Sequence, residues 1–175
     1  MPKTDEEHKK NLMERVKAND PVGLFQMGSV CDSKGDYEGA IQYWTKAAEL
    51  GNVEAHYNLS CLYRNGQGVE KDKKKEIYHL EEAAIGGNAD ARYNLGCHEG
   101  YAGRDDRATR HFIIAAKLGL DIALDAVKKG FTNGILRKED FEAALRGHQA
   151  AIDATKSKQR EEAEKAREGD RFDIK

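Results

Sequence analysis

Six histidines and three cysteines are the side chains of this 175-residue chain best suited to ligate a metal or to act as base and nucleophile. Zinc requires three or four such ligands converging on one point. Cys31, Cys61 and Cys97 form no C-x-x-C pair. Cys97 and His98 are adjacent, so on a helix they point about 100° apart, and no second pair has metal spacing. His56, His79, His98, His111 and His148 are scattered along the chain. His79 and His111 align with each other and with Tyr43 in an internal repeat, so they mark a recurring helix surface. A catalytic base would break such a repeat. No Ser/His/Asp grammar appears. The stretch NGQGVEKDK lacks the G-K-[ST] ending of a phosphate loop. DSKGD, at Asp32 to Asp36, is too short for a calcium loop and has no Glu at its twelfth position. The sequence predicts no catalytic residue, no metal, no cofactor and no enzyme.

Polar groups suited to binding do recur at intervals. Gln26, Asn58 and Asn94 are 32 and 36 residues apart. The segments that carry them start at Asp20, Asn52 and Asn88 and read DPVGLFQMG, NVEAHYNLS and NADARYNLG, and a weaker fourth copy, LDIALDAVK, starts at Leu120. Each has a second half: DYEGAIQYWTKAAELG, DKKKEIYHLEEAAIGG, RDDRATRHFIIAAKLG and the weaker DFEAALRGHQAAIDAT. A carboxamide donates and accepts, which suits the backbone of an extended peptide. The expected binding set is the amide ladder Gln26, Asn58 and Asn94, flanked by His56 and Arg92, with Leu62 and His98 one turn further on. The alternative is that these amides bond neighbouring helices and hold the stack together.

The elements that carry the ladder follow from local signals. Each copy reads helix, turn, helix. Asp20, Asn52 and Asn88 are good N-caps, and Pro21 sits where its missing N–H costs nothing. Tyr37, Ala40, Ile41, Trp44 and Ala48 form one apolar stripe at helical spacing. Gly51, Gly86–Gly87 and Gly119 end the second helices. Gly28, Ser60 and Gly96 recur inside the first helices. Glycine there costs about 1 kcal/mol against alanine, so it implies close helix–helix approach. One hairpin cannot bury its own stripe, but a stack of them can. The predicted fold is an all-α right-handed α/α superhelical solenoid of about four helical-hairpin repeats, 20–51, 52–87, 88–119 and 120–155. A capping helix lies within 1–19, from Thr4 to Ala18, with Thr4 and Glu7 as a capping box and Leu12, Met13 and Val16 as its apolar stripe. A charged tail, 156–175, is helical or frayed, with i,i+4 pairs such as Glu161–Lys165.

Composition narrows the function. A formal charge of −2 gives no electrostatic footprint for nucleic acid. No run reaches the ~18 apolar residues of a membrane span, and the N-terminus lacks the apolar core of a signal peptide. Sparse, odd-numbered cysteines suit a reducing compartment, with the cytoplasm as the expected address and the nucleus as the alternative. A monomer is expected.

The A-x-Y-N-L-G grammar, the N-G-x-G-V-x-x-D loop from Asn65 to Asp72 and the A-A-x-x-G endings resemble the Sel1-like repeat, a tetratricopeptide-related solenoid. The second and third copies match closely, the first lacks the Gly-x-Gly-Val loop, and the fourth has Leu120 for the cap and Lys128 for the small residue. The resemblance implies an adaptor whose first helices line a concave, partner-binding face, with protein or peptide as the ligand. Some bacterial members bridge two cysteines in each repeat. No repeat here has two, so their penicillin-binding association does not carry over. The segment PKTDEE…MERVKANDP resembles the linker of an algal, diatom-type subgroup in which a RING-type zinc segment often precedes the repeats. That implies an alternative function, the substrate-recognition part of a ubiquitin ligase whose zinc segment is missing from this chain.

Overall fold

The computed structural model describes residues 5–172, and every element it forms there is a helix. The helices are α1 (Asp5–Lys17), α2 (Pro21–Ser33), α3 (Tyr37–Glu49), α4 (Val53–Asn65), α5 (Lys73–Ile85), α6 (Ala89–Tyr101), α7 (Asp105–Lys117), α8 (Asp121–Thr132) and α9 (Lys138–Phe172). They group into two compact units, Met1–Leu95 and Gly96–Lys175, whose boundary falls within α6.

In the first unit, capping side chains start the helices, at the predicted Asp20, Asn52 and Asn88 and also at Asp36 and Asp72, which are not among the predicted caps. Asp20 accepts from the backbone of Val22 and Gly23, Asp36 from Gly39, Asn52 from Ala55 and Asp72 from Lys74 and Lys75. Asn88 accepts from the Ala91 N–H at 2.8 Å. Glycines end the second helices at positive φ: Gly51 at 84° and Gly87 at 94°. Gly86, by contrast, has φ −70° and is an ordinary right-handed residue.

Small residues let the hairpins close. Ala40, Ala47, Ala55 and Ala83 have no exposed surface. A Cβ on Gly28 would lie 2.5 Å from Trp44 Nε1, so the indole occupies the space that a side chain would need. The Trp44 Nε1–H donates to the Phe25 carbonyl at 3.1 Å, which satisfies the one polar atom of that buried ring. Ser60, 2 % exposed, replaces glycine in the second hairpin, and its hydroxyl donates to the Tyr57 carbonyl at 2.6 Å. Leu80 stands there at the position equivalent to Trp44.

The first cap residues of the second and third hairpins have a second role. Asn52 Nδ2 reaches the Pro21 carbonyl at 3.5 Å, and Asn88 Nδ2 donates to Glu54 Oε2 at 3.1 Å. Each carboxamide starts its own helix with its oxygen and holds the start of the preceding hairpin with its nitrogen.

The capping helix α1 packs on α2. Arg15 bonds Asp20 at 2.5 Å, and its Cβ would meet a Cβ on Gly23 at 2.6 Å. Thr4, half of the expected capping box, lies outside the described residues. Leu12 and Val16 are half-buried, but Met13 is 40 % exposed. Met13 sits about 100° round the helix from Leu12 and does not belong to the stripe.

In the second unit α7, α8 and α9 pack around Ala108, Ala115, Ala116, Ala123, Val127 and Ala144, all buried. Gly96 repeats the device of Gly28: a Cβ there would lie 2.6 Å from Phe112 Cε1. Gly119 ends α7 at φ 95°. Leu120 makes no side-chain cap bond, and Lys128 is exposed and bonds Asp125 at 3.1 Å. The fourth copy thus keeps buried apolar residues at Ala123 and Val127 and loses the polar cap and the small residue of the first helix. Helix α9 continues past the hairpin to Phe172. The pair Glu161–Lys165 involves a side chain outside those described.

Candidate partner-binding surface

The three ladder amides lie on α2, α4 and α6 and are in three different states. Gln26 is exposed, and its Oε1 accepts from Arg15 Nη1 at 3.0 Å. Asn94 is half-buried and bonds the Tyr57 hydroxyl. Burial pushes the Tyr57 phenol above its ordinary value, and the Asn94 bond offsets part of that rise. Asn58 is half-buried, and no hydrogen bond of its side chain is formed with a described residue. Asn94 therefore helps to join two hairpins, while Asn58 keeps its donor and acceptor available.

The expected flanking residues do not gather beside the amides. Residues two apart on a helix point about 200° from each other, so His56 and Arg92 leave the far side of α4 and α6 from Asn58 and Asn94. Leu62 is 3 % exposed and belongs to the core around Trp44, so it cannot meet a partner. His98 is half-buried and lies in the second unit. The ladder on the first unit reduces to Gln26, Asn58 and Asn94. Arg92 is partly exposed, but its Nε is buried with no hydrogen-bond partner among the described residues.

Two of the histidines that the sequence leaves scattered do meet. His56 Nδ1 and His79 Nδ1 are 3.0 Å apart. The ring centroids are 5.3 Å apart, which equals the nitrogen separation plus a ring radius on each side. The two nitrogens therefore point at each other. One donates its N–H and the other accepts, as neutral imidazoles do. Two ligands of one metal would instead have both lone pairs bent toward a third point. Among the described residues no group of three or more His, Cys, Asp or Glu is placed to hold a metal ion. Tyr63 stacks on His79 at 5.6 Å and 7°, Tyr78 meets it edge-on at 5.0 Å, and Lys75 Nζ lies 5.0 Å over the Tyr63 ring. Burial, then His56, then Lys75 push the His79 pKa down to about 4, so this imidazole is neutral at pH 7.

The equivalent positions of the third hairpin carry other chemistry. Tyr63, Lys75, Tyr78, His79 and Glu82 are replaced by Glu99, Arg107, Arg110, His111 and Ile114. These five line an open cleft of about 270 Å³. Arg104 bonds Glu99 and holds its carboxyl below the usual carboxylate range. The clue is present in the aligned repeats, where an aromatic pair in one copy faces an acid and an arginine in the next.

A profile of the Sel1 repeat matches residues 23–52, 53–88 and 89–120, more than half of the chain. The chain belongs to the Sel1 repeat family. Its members are protein-interaction scaffolds. HcpC of Helicobacter pylori, which bears a provisional β-lactamase name, is 38 % identical over 56 residues, 32 % of this chain and 19 % of its own. The chain spans 15 % and 19 % of the length of the curated relatives it matches. Among solved structures, the protective antigen c5321 of uropathogenic Escherichia coli, with an SLR fold, shares 22 % identity at a TM-score of 0.66, covering 78 % of this chain and 32 % of that one. A Sel1 repeat protein of Oxalobacter formigenes shares 24 % identity at a TM-score of 0.62, covering 70 % of this chain and 98 % of that one. These likenesses establish the fold: an all-α solenoid-type array of hairpins.

Proposed function

We propose that this Sel1 repeat protein is a non-enzymatic adaptor that takes an extended peptide or a loop of a partner protein along the first helices of its hairpins, on the stripe of Gln26, Asn58 and Asn94. The supporting observation is the state of Asn58. Its two ladder neighbours are engaged by Arg15 and Tyr57, whereas its carboxamide has no hydrogen-bond partner among the described residues and sits on a half-exposed helix face. An amide held this way offers one donor and one acceptor to a passing backbone at little ordering cost. No described helix is long and apolar enough to cross a membrane, and Cys31, Cys61 and Cys97 are free thiols, which suits a cytoplasmic adaptor.

The test uses the full chain as bait in a lysate of its source cell, beside an Asn58→Ala variant of matched helicity and melting temperature. Capture of a partner by the wild type and not by the variant supports the reading. Equal capture by both overturns it.

A further inference from the structure

The cleft of the third hairpin differs from the same cleft in the second. There, the chain fills the space with its own rings: Tyr63 lies flat on His79, and Tyr78 closes on it edgewise. In the third hairpin the ring positions hold Glu99 and Arg110, and about 270 Å³ stays open between α6 and α7. Charge there is unbalanced. Glu99 is the one carboxylate lining the cleft, and Arg104 already bonds it. Arg107 and Arg110 are both exposed; Arg107 adds to the field of Arg104 at Glu99, but neither forms a close ion pair with a described residue. Asp106 lies one turn before Arg110 and could have paired with it, but it does not. Ile114, 40 % exposed, lies on the same wall.

We propose that this cleft is a docking point for an acidic side chain of a partner peptide, with an aliphatic neighbour of that side chain resting on Ile114. A guanidinium presents a planar fork of donors that matches a carboxylate, and two arginines one turn apart on α7 can close on the same group. The cavity is too small for a folded domain and large enough for one or two side chains. The inference rests on the chain being an interaction module but not on the Asn58 stripe, which lies in the other unit.

The test is fluorescence anisotropy of the full chain with a labelled peptide of alternating Glu and Leu, against the same peptide with Gln for every Glu. The expected result is that the Glu peptide binds at least about tenfold more tightly, as charge-assisted hydrogen bonds require, and that added salt weakens it. An Arg107→Gln/Arg110→Gln variant with wild-type helicity loses this preference, while Asn58→Ala keeps it. Equal affinity for the two peptides, no binding of the Glu peptide by the wild type, or undiminished preference in the double variant each overturns the assignment. Loss of partner capture on Asn58→Ala with the Glu preference intact would separate the two sites.

Discussion

Asn88→Asp is a near-isosteric change that separates the two roles of a cap residue. Asn88 is 9 % exposed. Its oxygen accepts from the Ala91 N–H at 2.8 Å, and its nitrogen donates to Glu54 Oε2 at 3.1 Å. Aspartate caps a helix about as well as asparagine, so the first bond survives. The second cannot, because an ionised carboxylate has no donor. Losing a hydrogen bond to a charged group costs about 1.5–3 kcal/mol. Two carboxylates about 3 Å apart add repulsion, on the order of 1 kcal/mol where one of them, like Glu54, is exposed and screened by water. The helix N-terminus returns about 0.5 kcal/mol to the new charge. The net expectation is a loss of about 2–3 kcal/mol, or a fall of roughly 4–10 °C in melting temperature for a chain of this size. Urea and thermal unfolding followed by circular dichroism would measure it. Repulsion raises the pKa of the new carboxyl in the folded state, so the deficit should be largest near neutral pH and shrink as acid protonates the pair. Glu54→Gln in the same background supplies the missing donor from the other side and should recover most of the loss, which a double-mutant cycle isolates. A change below about 0.5 kcal/mol, or no recovery on adding Glu54→Gln, would refute the argument that the cap nitrogen ties the third hairpin to the second.

Two glycine substitutions should have opposite signs. Gly28→Ala forces a Cβ to 2.5 Å from Trp44 Nε1 and should cost about 1–3 kcal/mol, with a red shift of the indole emission. Gly130→Ala, in α8 with nothing within 4 Å of its added Cβ, should stabilise by about 0.5–1 kcal/mol, and a lowered urea midpoint would contradict this. His79 is held at about 4 in the fold against 6.5 for the free side chain, so the unfolded chain binds the extra proton. Stability is therefore complete above pH 6.5 and falls as pH drops from there toward about 4. His79→Gln should flatten that part of the melting-temperature profile, and an unaltered slope would show that other groups carry it. Asn58→Ala removes no side-chain hydrogen bond to a described residue and should leave unfolding stability in urea unchanged within about 0.5 kcal/mol.

The hairpin frame is legible in the sequence because its signals are local. A cap residue acts within its own first turn, a left-handed glycine within its own peptide, and the apolar spacing within one helix. The predicted close approach holds at Gly28 and Gly96 for the same reason: a glycine inside a helix is costly unless something leans on it. The binding set is less legible. A repeat period shows which residues are equivalent, not which way they point; the helical period does show it, and it sets His56 and Arg92 about 200° round from Asn58 and Asn94. Leu62 follows Asn58 by four residues, about 40° further round, and that rotation is enough to bury it. The second bond of Asn88 and the His56–His79 pair span 34 and 23 residues, and no spacing rule connects such positions. Their partners depend on how one helix lies against the next.

The notch in each first helix and the side chain that fills it differ together. Gly28 accommodates an indole and Gly96 a phenyl ring, while Ser60 belongs to the copy whose second helix carries Leu80. The first helix of the second copy, moved alone into the first copy, would bring a serine against Trp44, where even a methyl group has no room. Exchange of genetic material is thus tolerated in whole hairpins, and exchange of half a hairpin is punished where it moves the Ser60 helix into the first copy. Shuffled chains assembled from complete hairpins should fold, and those that set the Ser60 helix against Trp44 should not.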